Sequence, residues 1–124
     1  MELAHVAICV SDLDRAMDFY GALGFEETHR FTLNGVENVY IGADDADGAL
    51  QLRYDPDRTT PIAPSRADHD HIAFTVEDVD ATFEAAIEAG GAAVLEPTEI
   101  EPADAYAAFV EDPEGYTVEF YRTQ

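Results

Sequence analysis

HIAFTVEDVD, residues 71–80, restates HVAICVSDLD, residues 5–14, at a fixed offset of 66 (71 − 5). His5 and His71, Ala7 and Ala73, Val10 and Val76, Asp12 and Asp78, and Asp14 and Asp80 are identical pairs. Val6 with Ile72, Ile8 with Phe74, and Leu13 with Val79 exchange one apolar residue for another. A repeat of this kind marks one structural unit used twice. Each copy opens with a strand, over 3–10 and 71–76, then turns at an aspartate suited to cap a helix, Asp12 or Asp78. Apolar residues at helical spacing follow: Leu13, Ala16, Met17, Tyr20 and Leu23, then Val79, Phe83, Ala86 and Ile87. Gly24 and Gly90, again 66 apart (90 − 24), end the two helices.

Three strand-like runs complete each copy. In the first they cover 25–33, 36–41 and 49–54, with Asn34-Gly35 between two runs as a hairpin signal. In the second they cover 92–95, 106–111 and 116–122, the last two joined by a turn at Asp112-Pro113-Glu114-Gly115. The element order is β-α-β-β-β, twice, which predicts an α+β fold and not alternating α/β. The chain reads as one domain, 1–124: module one over about 1–55, a linker over about 56–68 carrying Pro56, Pro61 and Pro64, and module two over about 69–124.

A chain of 124 residues, 47% apolar, can bury a core. Asp and Glu total 27 against six basic residues, all arginine, for a formal charge of −21. Such a charge repels nucleic acid and anionic membranes, so neither is an expected partner. It suits a halophilic setting, because at about 1 M salt the Debye length falls to roughly 3 Å and self-repulsion is screened. No apolar run approaches the roughly 20 residues a bilayer requires. No basic, apolar leader opens the chain, and the one cysteine, Cys9, has no intramolecular partner. These features predict a cytoplasmic protein.

Strand alternation sorts the repeated residues by face. On the first strand Ala4, Val6, Ile8 and Val10 point towards the helix, and His5, Ala7 and Cys9 point away. On the fifth, Ile72, Phe74 and Val76 point inward, and His71, Ala73 and Thr75 share the other face. The final strands repeat the pattern: Leu50-Gln51-Leu52 aligns with Val118-Glu119-Phe120, which places Gln51 and Glu119 on the histidine face. If the first and last strands of each copy are neighbours, His5, Gln51, His71 and Glu119 converge as an N₂O₂ set. Such a set with open positions suits Zn²⁺, Ni²⁺, Co²⁺, Mn²⁺ or Fe²⁺. The expected architecture is a curved mixed sheet around a metal cavity, helices outside. Both imidazoles must be neutral to bind, so occupancy should fall in acid. A lone strand histidine is more often structural than a ligand; the repeat, which gives both the same geometry, decides for ligation. His69 and His29 lack counterparts at the offset and read as surface residues.

The segments LAHVAICVSDLDRAMDFYGALGF, DHIAFTVEDVD and FVEDPEGYTVEFYR resemble the vicinal oxygen chelate superfamily over nearly the whole chain. That superfamily includes glyoxalase I (lactoylglutathione lyase), methylmalonyl-CoA epimerase, extradiol dioxygenases and bleomycin-type resistance proteins. Length and the FVEDPEGY ending are most similar to compact bacterial glyoxalase I. The resemblance puts metal ligands at His5, Gln51, His71 and Glu119. It implies a lyase acting on the hemithioacetal of a 2-oxoaldehyde and a thiol through a metal-bound enediolate, with Glu119 as the base. Compact glyoxalases usually carry glutamate where Gln51 stands, and an arginine for glutathione's carboxylate where Cys9 stands, so another thiol is implied. The rivals are an epimerase using Glu37 as an additional base, and an Fe²⁺ ring-cleaving dioxygenase on His5, His71 and Glu119 with Tyr106 or Tyr121 nearby. A metal-free drug-binding protein is the last. A homodimer is expected, because paired modules commonly exchange or extend their sheets.

Overall fold

A computed structural model describes residues 1–43, 49–65 and 68–124. Contacts divide the chain into two units, Met1–Ile62 and Ala63–Gln124. The first holds β1 (His5–Cys9), α1 (Leu13–Ala22), β2 (Glu26–Leu33), β3 (Val36–Gly42) and β4 (Ala49–Tyr54). The second holds β5 (Ile72–Thr75), α2 (Val79–Glu88), β6 (Ala92–Ile100), a short 3₁₀ turn (Glu101–Ala103), β7 (Ala105–Glu111) and β8 (Thr117–Thr123). The twofold β-α-β-β-β order and the α+β class are as expected. Among the described residues between β4 and β5 there is neither helix nor strand, and residues 66–67 of the expected linker lie outside those described. No helix among the described residues is long and apolar enough to cross a membrane.

Each unit carries a four-stranded mixed sheet, ordered β1-β4-β3-β2 in the first and β5-β8-β7-β6 in the second. First and last strands are thus neighbours in both copies, and both pairs run parallel: Ala7 faces Gln51, and Ala73 faces Glu119. The remaining pairs are antiparallel. Asn34 and Gly35 both take positive φ, 53° and 81°, as a two-residue primed hairpin turn requires.

Local chemistry fixes the helices. Asp12 accepts from the Arg15 N–H and Asp78 from the Ala81 N–H, both at 3.0 Å, satisfying donors the first turn leaves unpaired. Gly24 and Gly90, at φ 95° and 105°, follow the last turns in a conformation that side chains resist. α1 buries Leu13, Ala16, Phe19 and Tyr20, and the first sheet buries Ile8, Val10, Val39, Ile41, Leu50 and Leu52. Complete burial of Phe19 alone contributes about 1.5–3 kcal/mol. α2 buries Val79 and Ala86 and packs against β6, β7 and β8, whose core residues include Ala108, Val110, Val118 and Phe120.

Several expected details change. β6 runs five residues past Leu95, through Pro97 to Ile100. It is an edge strand whose register shifts between Leu95 and Thr98, the setting in which a strand tolerates proline. Phe19, not singled out by helical spacing, is fully buried, whereas Met17 is only half-buried. Val6 and Ile87 lie on apolar-patterned faces but remain more than a third exposed.

Candidate active site

The second unit carries the better defined pair of candidate residues. His71 stands just before β5, with Nε2 3.1 Å from Glu119 Oε1 on β8. Its other nitrogen, Nδ1, is 2.8 Å from Asp70 Oδ1. A carboxylate on Nδ1 favours the tautomer that donates there, which leaves the Nε2 lone pair directed at Glu119's side of the ring. Phe109, the β7 partner of Glu119, meets the imidazole edge-on at 5.3 Å and 78°. The DPEG turn places β8: Asp112 Oδ1 accepts from the backbone N–H groups of Glu114, Gly115 and Tyr116 at 2.9–3.0 Å. Thr117 Oγ1, on Glu119's face of β8, is buried without a hydrogen-bond partner among the described residues. A buried hydroxyl left unspent calls for a polar partner.

The first unit repeats this construction with different chemistry. His5 lies on the same face as Ala7 and therefore as Gln51, Ala7's partner on β4. Tyr40, the β3 partner of Gln51, meets the His5 ring edge-on at 5.2 Å and 89°, the counterpart of Phe109 against His71. Gln51 is buried, and its Nε2 donates to Asn38 Oδ1 at 2.8 Å. Arg53 Nε donates to the same oxygen at 3.3 Å, and Asn38 Nδ2 donates to the Val36 carbonyl at 3.1 Å. Because a guanidinium only donates, the Asn38 oxygen must face it, and this fixes the Gln51 amide with nitrogen towards Asn38 and oxygen free.

Two pairs of donors therefore share the non-helix faces of their sheets, His5 with Gln51 and His71 with Glu119. Among the described residues no three His, Cys, Asp or Glu side chains stand close enough to hold an ion. The donor chemistry of the pairs does fit one. Two ligands about 2.1 Å from one ion, at tetrahedral or octahedral angles, stand roughly 3.0–3.4 Å apart, and the His71–Glu119 separation falls in that range.

Two candidate residues lie elsewhere, and a third shares the site's face. Glu37 is on the opposite face of β3 from Asn38 and Tyr40, 3.5 Å from Arg30, which also holds Glu27 through two hydrogen bonds. The Arg30 hydrogen bond keeps the Glu27 carboxyl below the usual carboxylate range. Glu37 is therefore not available beside Gln51 as an epimerase base. Tyr106 is three residues from Phe109 on β7, so it faces away from Glu119. Its hydroxyl donates to Asp80 at 2.8 Å, which raises its pKa, and Arg122 lies over its ring at 5.0 Å. Tyr121 shares Glu119's face. His69 and His29 are exposed as expected, but the His29 ring lies 5.7 Å from that of Tyr40, tilted by 42°. Asn38 and Asp70, which orient candidate ligands, have no counterpart in the repeat, and nothing in the sequence singled them out.

Comparison with known proteins agrees with this architecture. The model of the Glyoxalase/Bleomycin resistance protein/Dioxygenase superfamily matches residues 2–120, and the chain belongs to that family. Lactoylglutathione lyase of Haemophilus influenzae is 30% identical over 128 aligned residues, covering 97% of this chain and 91% of its own. A probable lactoylglutathione lyase of Synechocystis is 31% identical, covering 99% and 96% respectively. Among solved structures, a glyoxalase/bleomycin resistance protein/dioxygenase domain from Frankia superposes with a TM-score of 0.83 at 20% identity, covering 100% of this chain and 98% of its own. Glyoxalase I from Zea mays superposes with a TM-score of 0.78 at 23% identity over 99% of this chain, which spans 45% of the maize protein. At these identities the structural likeness speaks for the fold.

Proposed function

We propose that the protein is a divalent-metal-dependent lyase of the glyoxalase I type, converting the hemithioacetal of a 2-oxoaldehyde and a small thiol to a 2-hydroxyacyl thioester. His5, Gln51, His71 and Glu119 are the residues that would hold the ion, as Ni²⁺, Zn²⁺, Co²⁺, Mn²⁺ or Fe²⁺. A homodimer belongs to the same proposal. The observation that carries this reading is the Asp70–His71–Glu119 arrangement, a histidine fixed through Nδ1 with Nε2 beside a carboxylate. The named lactoylglutathione lyases among the relatives support the substrate class.

A bound ion supplies positive charge where the substrate's neighbouring oxygens become anionic. Glu119 takes the proton from the carbon that bears the hydroxyl and the sulphur and returns it to the adjacent, formerly carbonyl, carbon, moving the hydrogen while the thiol stays attached. Phe109 and Tyr40 keep the imidazoles in place during that exchange. Gln51 can donate an oxygen but cannot accept a proton at neutral pH, so the acid–base work falls on Glu119 alone.

Metal analysis of protein purified in high salt, followed by assay with methylglyoxal and several thiols, tests the reading. The expected result is one divalent ion per pair of units and thiol-dependent turnover that chelation abolishes. Turnover untouched by chelation, or oxygen uptake with catechols in place of it, overturns the proposal.

A further inference from the structure

Thr117 Oγ1 is, among the described residues, the one buried side-chain polar atom without a hydrogen bond. The residue is 4% exposed, so solvent does not supply the missing partner. A buried hydroxyl in that condition is costly, and folded proteins rarely leave one so. Two residues further along β8, on the same face, stands a group with the opposite deficit. Glu119 Oε1 lies 3.1 Å from His71 Nε2, on a side chain only 16% exposed. Asp70 occupies the Nδ1 side of that ring at 2.8 Å. A neutral imidazole, the form that can ligate, has one N–H, and Asp70 holds it. Nε2 and Oε1 then face each other as two acceptors. That geometry suits two ligands of one ion and is repulsive in the ion-free protein. A donor lacking an acceptor sits beside an acceptor lacking a donor.

We propose that Thr117 is the positioning residue for Glu119: in the ion-free protein the carboxylate turns from His71 along β8 and accepts the Thr117 hydroxyl hydrogen. Residues two apart on a strand stand about 6.6–6.8 Å from one another, a gap that a glutamate side chain, a threonine hydroxyl and one hydrogen bond of about 2.7 Å together span. Glu111, the β7 partner of Thr117, is a second carboxylate on this face, but it is exposed and has water for its donors.

The move satisfies both groups and leaves the His71 lone pair open. It also gives the base a fixed second position: with one carboxylate oxygen held by Thr117, the other is free to take a proton. The inference rests on the metal reading of the site, since an ion is what draws Glu119 back to His71. Entry of the ion must break the Thr117 bond, so the hydroxyl opposes binding.

Thr117→Val keeps the shape of the side chain and removes the hydroxyl, and it separates this role from a merely structural one by sign. A hydroxyl without a partner is a burden, and its loss would raise the stability of the chelator-treated full chain. A hydroxyl bonded to Glu119 contributes stability, so the expected result is a lower urea midpoint for Thr117→Val, an effect retained in a Glu111→Ala background and absent in a Glu119→Ala background. The same variant, though less stable without metal, should bind Co²⁺ roughly tenfold more tightly, while Thr117→Ser, which keeps the hydroxyl, binds it as the parent does. A midpoint unchanged or raised in Thr117→Val overturns the proposal, as does Co²⁺ affinity that is equal or weaker. A loss of stability that persists with Glu119→Ala also overturns it, because the hydroxyl then serves another acceptor such as His71 Nε2. A parent protein that binds no Co²⁺ rejects the metal reading alone, and the metal-free cycle still decides the Thr117 bond.

Discussion

His71, just before β5, and Glu119, on the neighbouring strand β8, bring their functional atoms, Nε2 and Oε1, to 3.1 Å while Asp70 holds the far side of the imidazole at 2.8 Å. The carboxylate on Nδ1 makes the opposite nitrogen a better electron-pair donor and restricts ring rotation. Asp70→Ala is therefore expected to reduce Co²⁺ affinity by about 10- to 100-fold. Asp70 is exposed, so the midpoint of urea unfolding should hardly move. Equal Co²⁺ affinity in the variant and the parent would remove Asp70 from the site.

Glu119 is assigned two tasks, and a substitution separates them. In Glu119→Gln the amide oxygen can still ligate, but the side chain no longer accepts a proton at neutral pH. Turnover should drop by at least about 100-fold, the lower range for loss of a positioned base, while a measurable fraction of the metal is retained. Stopped-flow measurement on protein of known metal content reads both quantities. Full turnover in this variant means that another group moves the proton.

The extent to which this site was legible follows from what a repeat can encode. The offset of 66 carried the element order, both N-caps, both terminal glycines and the shared face of His5 and His71, because each depends on local chemistry or strand parity. The neighbouring of β1 with β4 and of β5 with β8 was conditional in the sequence and is present in both sheets. Side-chain partners across strands were not legible. Asn38 orients Gln51 from 13 positions away, and that contact depends on the β3–β4 register, which no spacing rule predicts. Parity alone would have turned Tyr106 away from Glu119, three residues from its β7 partner, had the register been known. The continuation of β6 through Pro97 was missed because an edge-strand position, and not the residue, makes proline tolerable there.

Asn38 is buried and serves three hydrogen bonds, to Gln51, Arg53 and Val36. Replacing it with Leu leaves the buried Gln51 amide without its acceptor, at a cost of about 1–3 kcal/mol. The expected outcome is a lower urea midpoint together with weaker Co²⁺ binding, since the freed amide no longer presents its oxygen in one direction. Asn38→Asp restores an acceptor and should recover much of the metal affinity. Identical behaviour of the Leu and Asp variants would show that Asn38 fills space and does no orienting.

Tyr40 and Phe109 hold equivalent places, each edge-on to a candidate ligand at 5.2 and 5.3 Å. If the ring alone matters, Tyr40→Phe should leave Co²⁺ affinity within about twofold. Phe109→Leu and Tyr40→Leu remove the ring edge, an interaction of about 0.5–1.5 kcal/mol, and should weaken binding roughly 2- to 12-fold. Spectroscopic titration with Co²⁺ reads the effect directly at the histidine ligands. A large loss in Tyr40→Phe would instead assign the hydroxyl a role of its own.

The net charge of −21 has a consequence that can be measured without any ligand. Most of the 27 carboxylates lie on exposed positions, so their mutual repulsion is felt in the folded state and relaxes as the chain expands. Raising KCl from 0.1 to 1 M shortens the Debye length from about 10 to about 3 Å and removes most of that repulsion. The thermal midpoint should therefore climb steeply at first and flatten towards 1 M. A gain of about 2 kcal/mol corresponds to roughly 8–16 °C for units of this size. Differential scanning calorimetry across the KCl series decides the matter. A midpoint that is flat or falls with added salt would mean that the acidic surface is not a liability in dilute buffer and that adaptation to high salt is the wrong account of it.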